Sequence, residues 1–160
     1  MDVEIRKAVK TDAEGILALI HELAVFEKEP EAVIVTKTEI EQDGFGDRPL
    51  FECIVAEVAE KVVGMALFYP RYSTWKGPTF HLEDLIVTES MKGKGIGTKL
   101  YKAFLSHADS LGVDRVEWVV LDWNTTAIQF YEKSGAKVLS DWNIVQMDRS
   151  SIKNYILENK

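Results

Sequence analysis

Residues 91–100 read MKGKGIGTKL. Gly93, Gly95 and Gly97 occupy every second position among Lys92, Lys94 and Lys99. They lead into an apolar series at helical spacing (Ile96, Leu100, Phe104, Ala108, Leu111) that stops at Gly112. A helix N-terminus carries the positive end of the macrodipole, so lysines there are misplaced unless an anion sits between them and the free N–H groups. From Ser90 to Ala108 there is no acidic residue, although Lys92, Lys94, Lys99 and Lys102 all fall inside that window. Glycines let a backbone approach a ligand closely and turn successive N–H groups inward, which makes an anion nest. A phosphate or diphosphate satisfies every one of these features. A plain glycine turn beside a solvated lysine face is the other reading. Two phosphate motifs fail on spacing: Gly97 is followed by Thr98 before Lys99, which breaks the P-loop pattern, and Thr98 stands where a dinucleotide fingerprint needs glycine.

Working outward, VEIRKAV (3–9) reads as a first strand. Thr11 and Glu14 have capping-box spacing ahead of an apolar stripe at Ile16, Leu17, Leu19, Ile20 and Leu23, and Thr36 with Glu39 repeats the signal for a shorter helix ending near Gly44. FECIVAEV (51–58) and KVVGMALFY (61–69) form a hairpin around Ala59-Glu60, and TFHLEDLIV (79–87) is a further strand. Beyond the glycine loop and its helix, RVEWVVL (115–121) reads as a strand, TTAIQFYEKSG (125–135) as a helix closed by Gly135, and NIVQMD (143–148) as a last strand. The order β-α-α-β-β-β-α-β-α-β-β, with room for a terminal helix, predicts an α+β (mixed α/β) fold with a mixed sheet and helices on both sides.

The 160 residues fit a single domain spanning 1–160, with 46% hydrophobic and 28% charged residues. A net charge of −7 argues against nucleic acid as the main partner and mildly favours a cationic one. Cys53, the one cysteine, excludes an internal disulfide and any cysteine-based metal site, and its alternating strand context predicts a buried structural thiol. No stretch approaches the ~20 apolar residues of a membrane span, and the first ten residues lack a secretory apolar run, so a cytoplasmic protein is expected. His21, His81 and His107 have no ligand spacing, and no metal is expected.

The glycine loop, the preceding LEDLIV (82–87) and the following LDWNTTAIQFYEKSGAK (121–137) resemble the GNAT superfamily of N-acetyltransferases. In that family a Q/R-x-x-G-x-G/A consensus cradles the diphosphate of acetyl-CoA, and here it reads Lys92-x-x-Gly95-x-Gly97, with lysine replacing Gln or Arg. The resemblance reaches the diamine acetyltransferase branch (spermidine/spermine and thialysine N-acetyltransferases) through IRKAVKTDAEGILALIHELAVFEK, DGFGDRP, CIVAEV, YSTWKG, LEDLIV and VLDWN. ELAVFEK, YSTWKG and VLDWN look nearer the thialysine side, with Phe26 where the spermidine enzymes have tyrosine. The tight Ala59-Glu60 hairpin departs from animal members, which carry a longer insert there. The resemblance implies a mostly antiparallel central sheet, acetyl-CoA as acetyl donor with CoA as product, and a homodimer with its C-terminal strands near the interface.

Acetylating an amine demands carboxylates. A primary alkylammonium has a pKa near ~10.4, so keeping it neutral at pH 7 costs about 4.6 kcal/mol. Carboxylates both bind the cation and accept its proton. Glu83 and Asp84 lie side by side in an otherwise apolar strand, where burial raises a carboxylate's pKa toward that of a useful base. Strand alternation sends the two to opposite faces, so at most one faces a given cleft, and an ordinary edge-strand charge pair is the alternative.

The resemblance implies Glu83 as the base, acting through water, and Glu27 as the grip on the far end of the amine, with Phe26, Asp84 and Trp118 also on the substrate side. It implies that Leu85, Ile86 and Val87 bond the pantetheine arm through their backbones and polarise the acetyl carbonyl. Lys92, Gly93, Lys94, Gly95, Ile96, Gly97 and Thr98 would hold the diphosphate, with Asn124 and Ala127 also contacting CoA. Tyr131 matches the tyrosine that protonates the departing thiolate; on its own it reads as a core aromatic on the helix face shared with Ile128, and its spacing from Asn124 together with the glycine loop reverses that preference. The expectation is direct transfer to a small cationic amine in a ternary complex. The rivals are a protein or peptide N-acetyltransferase and a CoA-binding sensor without turnover.

Overall fold

A computed structural model describes residues 2–159. Through Val119 the chain forms one compact unit, and Val120 onward forms a second.

The first unit is a five-stranded sheet in the order β1-β2-β3-β4-β5, built from β1 (Glu4–Lys7), β2 (Glu52–Val58), β3 (Lys61–Ser73), β4 (Gly77–Val87) and β5 (Val116–Glu117). The first three pairings are antiparallel and β4–β5 is parallel, so the sheet is mixed and mostly antiparallel, as expected. The β2–β3 hairpin turns at Ala59 and Glu60, both at positive φ (49° and 62°), a backbone whose twist matches that of the flanking strands.

Helices cover both faces. Cys53, Val55, Met65, Leu67 and Ile86 face α1 (Ala13–Phe26) and α2 (Lys37–Phe45), packing with Ala13, Ile16, Leu19 and Ile40. Ile54, Ala66, Phe68, Phe80 and Leu82 face α3 (Ile96–Ser110) through Ile96, Leu100, Phe104 and Ala108. Phe68 anchors this second core, with Phe80 edge-on at 5.3 Å and Phe104 tilted at 5.0 Å. α3 lies so close to β3 that a Cβ at Gly64 would meet Ile86 O at 2.9 Å and Leu100 Cδ1 at 3.1 Å. Cys53 is buried in the first core, as read from its context, and burial pushes its thiol pKa upward.

Thr36 caps α2 as read, its hydroxyl accepting from Glu39 N while the Glu39 carboxylate accepts from Thr36 N. The start of α1 differs from the Thr11–Glu14 box. A 3-10 turn at Lys10–Asp12 precedes it, and the anchoring carboxylate is Asp12, which accepts from Val9 N at 2.8 Å. The Arg6 guanidinium donates to both oxygens of Asp12 at 2.7 and 2.9 Å and also pairs with Glu57. A bidentate arginine outcompetes a local cap because it fixes β1, β2 and the helix entry together. Glu14 instead pairs with Lys37 at 3.3 Å.

The second unit holds α4 (Thr125–Lys133) and a terminal helix α5 (Arg149–Glu158). Two strand expectations are corrected here. Of residues 115–121 only Val116 and Glu117 form a strand, and 143–148 form none. A strand needs a neighbouring strand to receive its N–H and C=O groups. Among the described residues the second unit contains no strand, and Trp142, Ile144, Val145 (92% exposed) and Met147 stay uncovered.

Candidate active site

β4 carries the first half of the site and does not run regularly. Leu67 pairs with Asp84 and Phe68 with Leu82, which leaves Glu83 as an extra residue, a β-bulge. The apolar neighbours record the slip: Leu82 and Leu85, three apart, both belong to the α3-side core, while Ile86 belongs to the α1-side core. Simple alternation, with Glu83 and Asp84 on opposite faces, is therefore corrected: the bulge turns both toward α1. Tyr69, two residues along β3 from Leu67 and on the same face, donates its O–H to Glu83 Oε2 at 2.8 Å. His81 stacks on Tyr69 with ring centroids 5.3 Å apart and brings Nε2 to 3.6 Å from the same carboxylate. Its Nδ1 lies 3.9 Å from Glu117, which also pairs with Arg71 and Arg115.

α1 adds the third carboxylate. Glu27 caps its C-terminus, its N–H bonding Leu23 O at 2.9 Å, and Lys28 at φ 64° then turns the chain away. Glu27, Glu83 and Asp84 feel one another electrostatically. Burial, reinforced by the Glu83 and Glu27 charges, pushes the Asp84 carboxyl up to about 7. Burial and the Glu83 charge raise Glu27 as well. Burial and the bond to Glu83 push the Tyr69 phenol up to about 12, so it stays a hydrogen-bond donor at neutral pH. Tyr69 and His81 had no role in the sequence reading. The β3–β4 register pairs them directly and sets them beside the bulge, an arrangement no local sequence pattern signals.

On the side away from β3, β4 pairs with β5 only at Phe80 and His81. From Leu82 to Val87 that edge has no strand partner among the described residues, which leaves the outward-facing backbone groups of Leu85 and Val87 open to an extended ligand, while those of Ile86 face Met65 of β3. At its end β4 passes through a 3-10 turn (Glu89–Met91) into the glycine loop.

Gly93 and Gly95 take the left-handed conformation at φ 74° and 76°, with no atom within 4 Å of where a Cβ would stand. Gly95 is the N-cap of α3 and supplies no side-chain acceptor, so the N–H groups of Ile96, Gly97 and Thr98 open a 15-residue helix without a side-chain cap. Donors, room and positive charge fit a diphosphate. Lys92 and Lys94 turn back onto the preceding turn: Lys92 Nζ lies 2.5 Å from Glu89 and 5.1 Å from the Phe26 ring centroid, and Lys94 Nζ bonds Ser90 O at 3.2 Å. The acid-free window thus begins one residue after the carboxylate that Lys92 meets.

Phe26 therefore sits under Lys92. Trp118 packs against the α3-side core and meets Tyr101 edge-on at 5.8 Å. In the second unit, Asn124 caps α4, its side chain accepting from Ala127 N at 3.3 Å, and the Tyr131 ring lies 5.5 Å from Phe130.

A group of carboxylates thus lies beside a strand edge, unpaired among the described residues, that runs into a helix start whose free N–H groups fit an anion. Residues 16–136 match the family model for the acetyltransferase (GNAT) family, and the chain belongs to that family as an N-acetyltransferase. The thialysine N-epsilon-acetyltransferase of Bos taurus is 36% identical over 162 residues, covering 94% of this chain and 95% of the bovine protein. That of Mus musculus is 39% identical over 145 residues, covering 86% and 85%. The human spermidine/spermine N(1)-acetyltransferase-like protein 1 is 35% identical over 93% of this chain but only 23% of its own length. Among solved structures, an integron cassette protein from V. cholerae superposes with a TM-score of 0.79 at 23% identity, covering 98% of each chain. An aminoglycoside acetyltransferase from a soil metagenomic sample gives 0.76 at 19%, covering 91% of this chain and 97% of its own. Both show the same fold.

Proposed function

We propose that the whole chain acts as one domain that transfers acetyl directly from acetyl-CoA to a primary amine of a small cationic substrate, of the thialysine or lysine type or a polyamine. The observation that carries this is the bulge at Glu83, which puts Glu27, Glu83 and Asp84 on one face beside the open edge of β4.

In this reading the carboxylates attract the ammonium, whose charge offsets their mutual repulsion. Glu83, held by the Tyr69 hydroxyl, accepts the amine proton, directly or through a water. Glu27 holds the distal charge. Acetyl-CoA supplies the activated acetyl group. The backbone of Leu85–Val87 orients its arm, and Lys92–Thr98, with Asn124 and Ala127, fix its position. Tyr131 offers the proton that leaves with the thiol. The burial of the one cysteine supports direct transfer in a ternary complex over a cysteine-bound acetyl intermediate. The relatives named for thialysine favour that end of the amine range. A cytoplasmic homodimer completes the proposal. The exposed Val138, Leu139, Trp142, Ile144, Val145 and Met147 support the dimer, because such apolar surface is uncommon on a monomer. Light scattering on the purified chain gives the mass that checks it.

The test is thiol release across thialysine, lysine, polyamines and peptides, ranked by kcat/KM. Thialysine or a polyamine should lead. A peptide ranked first would replace the substrate, and CoA binding without release on any amine would leave a sensor. Tyr131→Phe should lower kcat by about tenfold with KM little changed.

A further inference from the structure

The turn that delivers β4 to the glycine loop is held from outside. Thr88 is the N-cap of the Glu89–Met91 turn, yet its side chain makes no capping bond. Its hydroxyl points away and donates to Glu22 Oε2 at 2.8 Å, while the Glu89 N–H donates to Glu22 Oε1 at 2.7 Å. A side chain 66 residues earlier, on α1, thus does what a local cap would do. Both oxygens of the carboxylate are engaged, each by a donor from the same turn. On the sheet side Thr88 N donates to Val63 O at 2.8 Å, and the turn closes through Met91 N to Thr88 O at 2.9 Å and Lys92 N to Glu89 O at 3.2 Å. Four residues beyond Glu22, on the same helix face, the Phe26 ring lies beneath Lys92. Glu27 follows at once with its carboxylate among the substrate acids.

We propose that Glu22 is a positioning residue for the cofactor: it cross-links α1 to the Thr88–Glu89 turn and so sets the path on which the N–H groups of residues 93–98 converge. The last turn of α1 is then a shared strut, with Glu22 and Phe26 supporting the diphosphate cradle and Glu27 serving the amine. This rests on the reading of residues 92–98 as the CoA cradle. Electrostatics alone would give the opposite sign, since a carboxylate near a diphosphate repels it. Glu22 therefore helps only through geometry.

The opposing signs make the test decisive. CoA is titrated calorimetrically into the full-length wild type, Glu22→Ala, Glu22→Gln and Thr88→Val. Glu22→Ala should raise the Kd for CoA about tenfold, since charge-assisted bonds are the stronger class, and should raise KM for acetyl-CoA while kcat at saturation stays within about twofold. Glu22→Gln should recover most of the affinity. Its carbonyl accepts from Glu89 N, its amide donates to a reversed Thr88 hydroxyl, and a negative charge is gone. Thr88→Val should weaken CoA about threefold. Amide exchange across 91–97 should quicken in Glu22→Ala while β2 and β3 keep their protection. CoA binding equal in wild type and Glu22→Ala overturns the anchor alone, and so does equal weakening by Ala and Gln. Absence of CoA binding in the wild type overturns the cradle, and the anchor with it. Should Glu22→Ala fail to fold, unchanged affinity in Thr88→Val overturns the proposal by itself.

Discussion

The carboxylate group lies within β4 and the glycine cradle follows that strand's C-terminal end, yet the two come about in different ways. The cradle is local: Lys92 to Thr98 are contiguous, two glycines adopt a conformation other residues resist, and the helix they open is set by its own periodicity. The carboxylates are assembled. Glu27 comes from the end of α1, and Glu83 joins Asp84 on one face only because β4 bulges against β3. A local device tolerates change at side chains that merely decorate it. An assembled one fails when any member is lost, because each group sets the charge and solvation of the others.

The sharpest break in that contrast is Glu83→Gln. It removes the proposed base while leaving an amide oxygen able to accept the Tyr69 bond, and kcat/KM for the best amine should fall by about 10²-fold or more at pH 7.5. A fall below threefold would show that the assembled group does not carry the proton.

Asp84→Asn tests the electrostatic coupling through stability. The folded-state carboxyl stands near 7 against an ordinary 3.8, so the folded protein binds the extra proton between these values and wild-type stability declines as pH rises through that window. The variant should therefore match the wild type near pH 4 and exceed it at pH 8 by roughly 4 kcal/mol, read from denaturant midpoints. Equal stability at both pH values would mean that Asp84 is not desolvated. The same titration predicts that the wild-type KM for a cationic amine rises as pH falls below about 7, because the group loses a negative charge.

At the cradle, Gly95→Ala forces a Cβ onto φ 76°, a strain of roughly 1–2 kcal/mol, and should weaken CoA about tenfold by calorimetry. Lys92→Gln should do least, weakening CoA by about threefold, since the backbone supplies most donors and Lys92 is shared with Glu89 and Phe26. If Lys92→Gln outweighed Gly95→Ala, the cradle would be a side-chain site and the contrast would reverse.

Much of the fold was legible because its signals are short-range. The Thr36–Glu39 cap, the Ala59-Glu60 turn and the α3 stripe each lie within a few residues. The Thr11–Glu14 box misled because Arg6 and Asp12 form a stronger, longer-range pair at the same place. The strand expected at 143–148 has suitable residues but, among the described residues of its own unit, no strand to pair with.

The sequence by itself determined the glycine-rich helix start, the alternating cores on the two sheet faces and the presence of adjacent acids in an apolar strand. Only the tertiary structure decided that those acids share a face, that Tyr69 and His81 stand beside them, and that Glu22 holds the turn below. Helix caps and glycine turns are settled by neighbours along the chain. A bulge and a cross-link over 66 residues depend on which strand and which helix arrive alongside, and no local pattern encodes that.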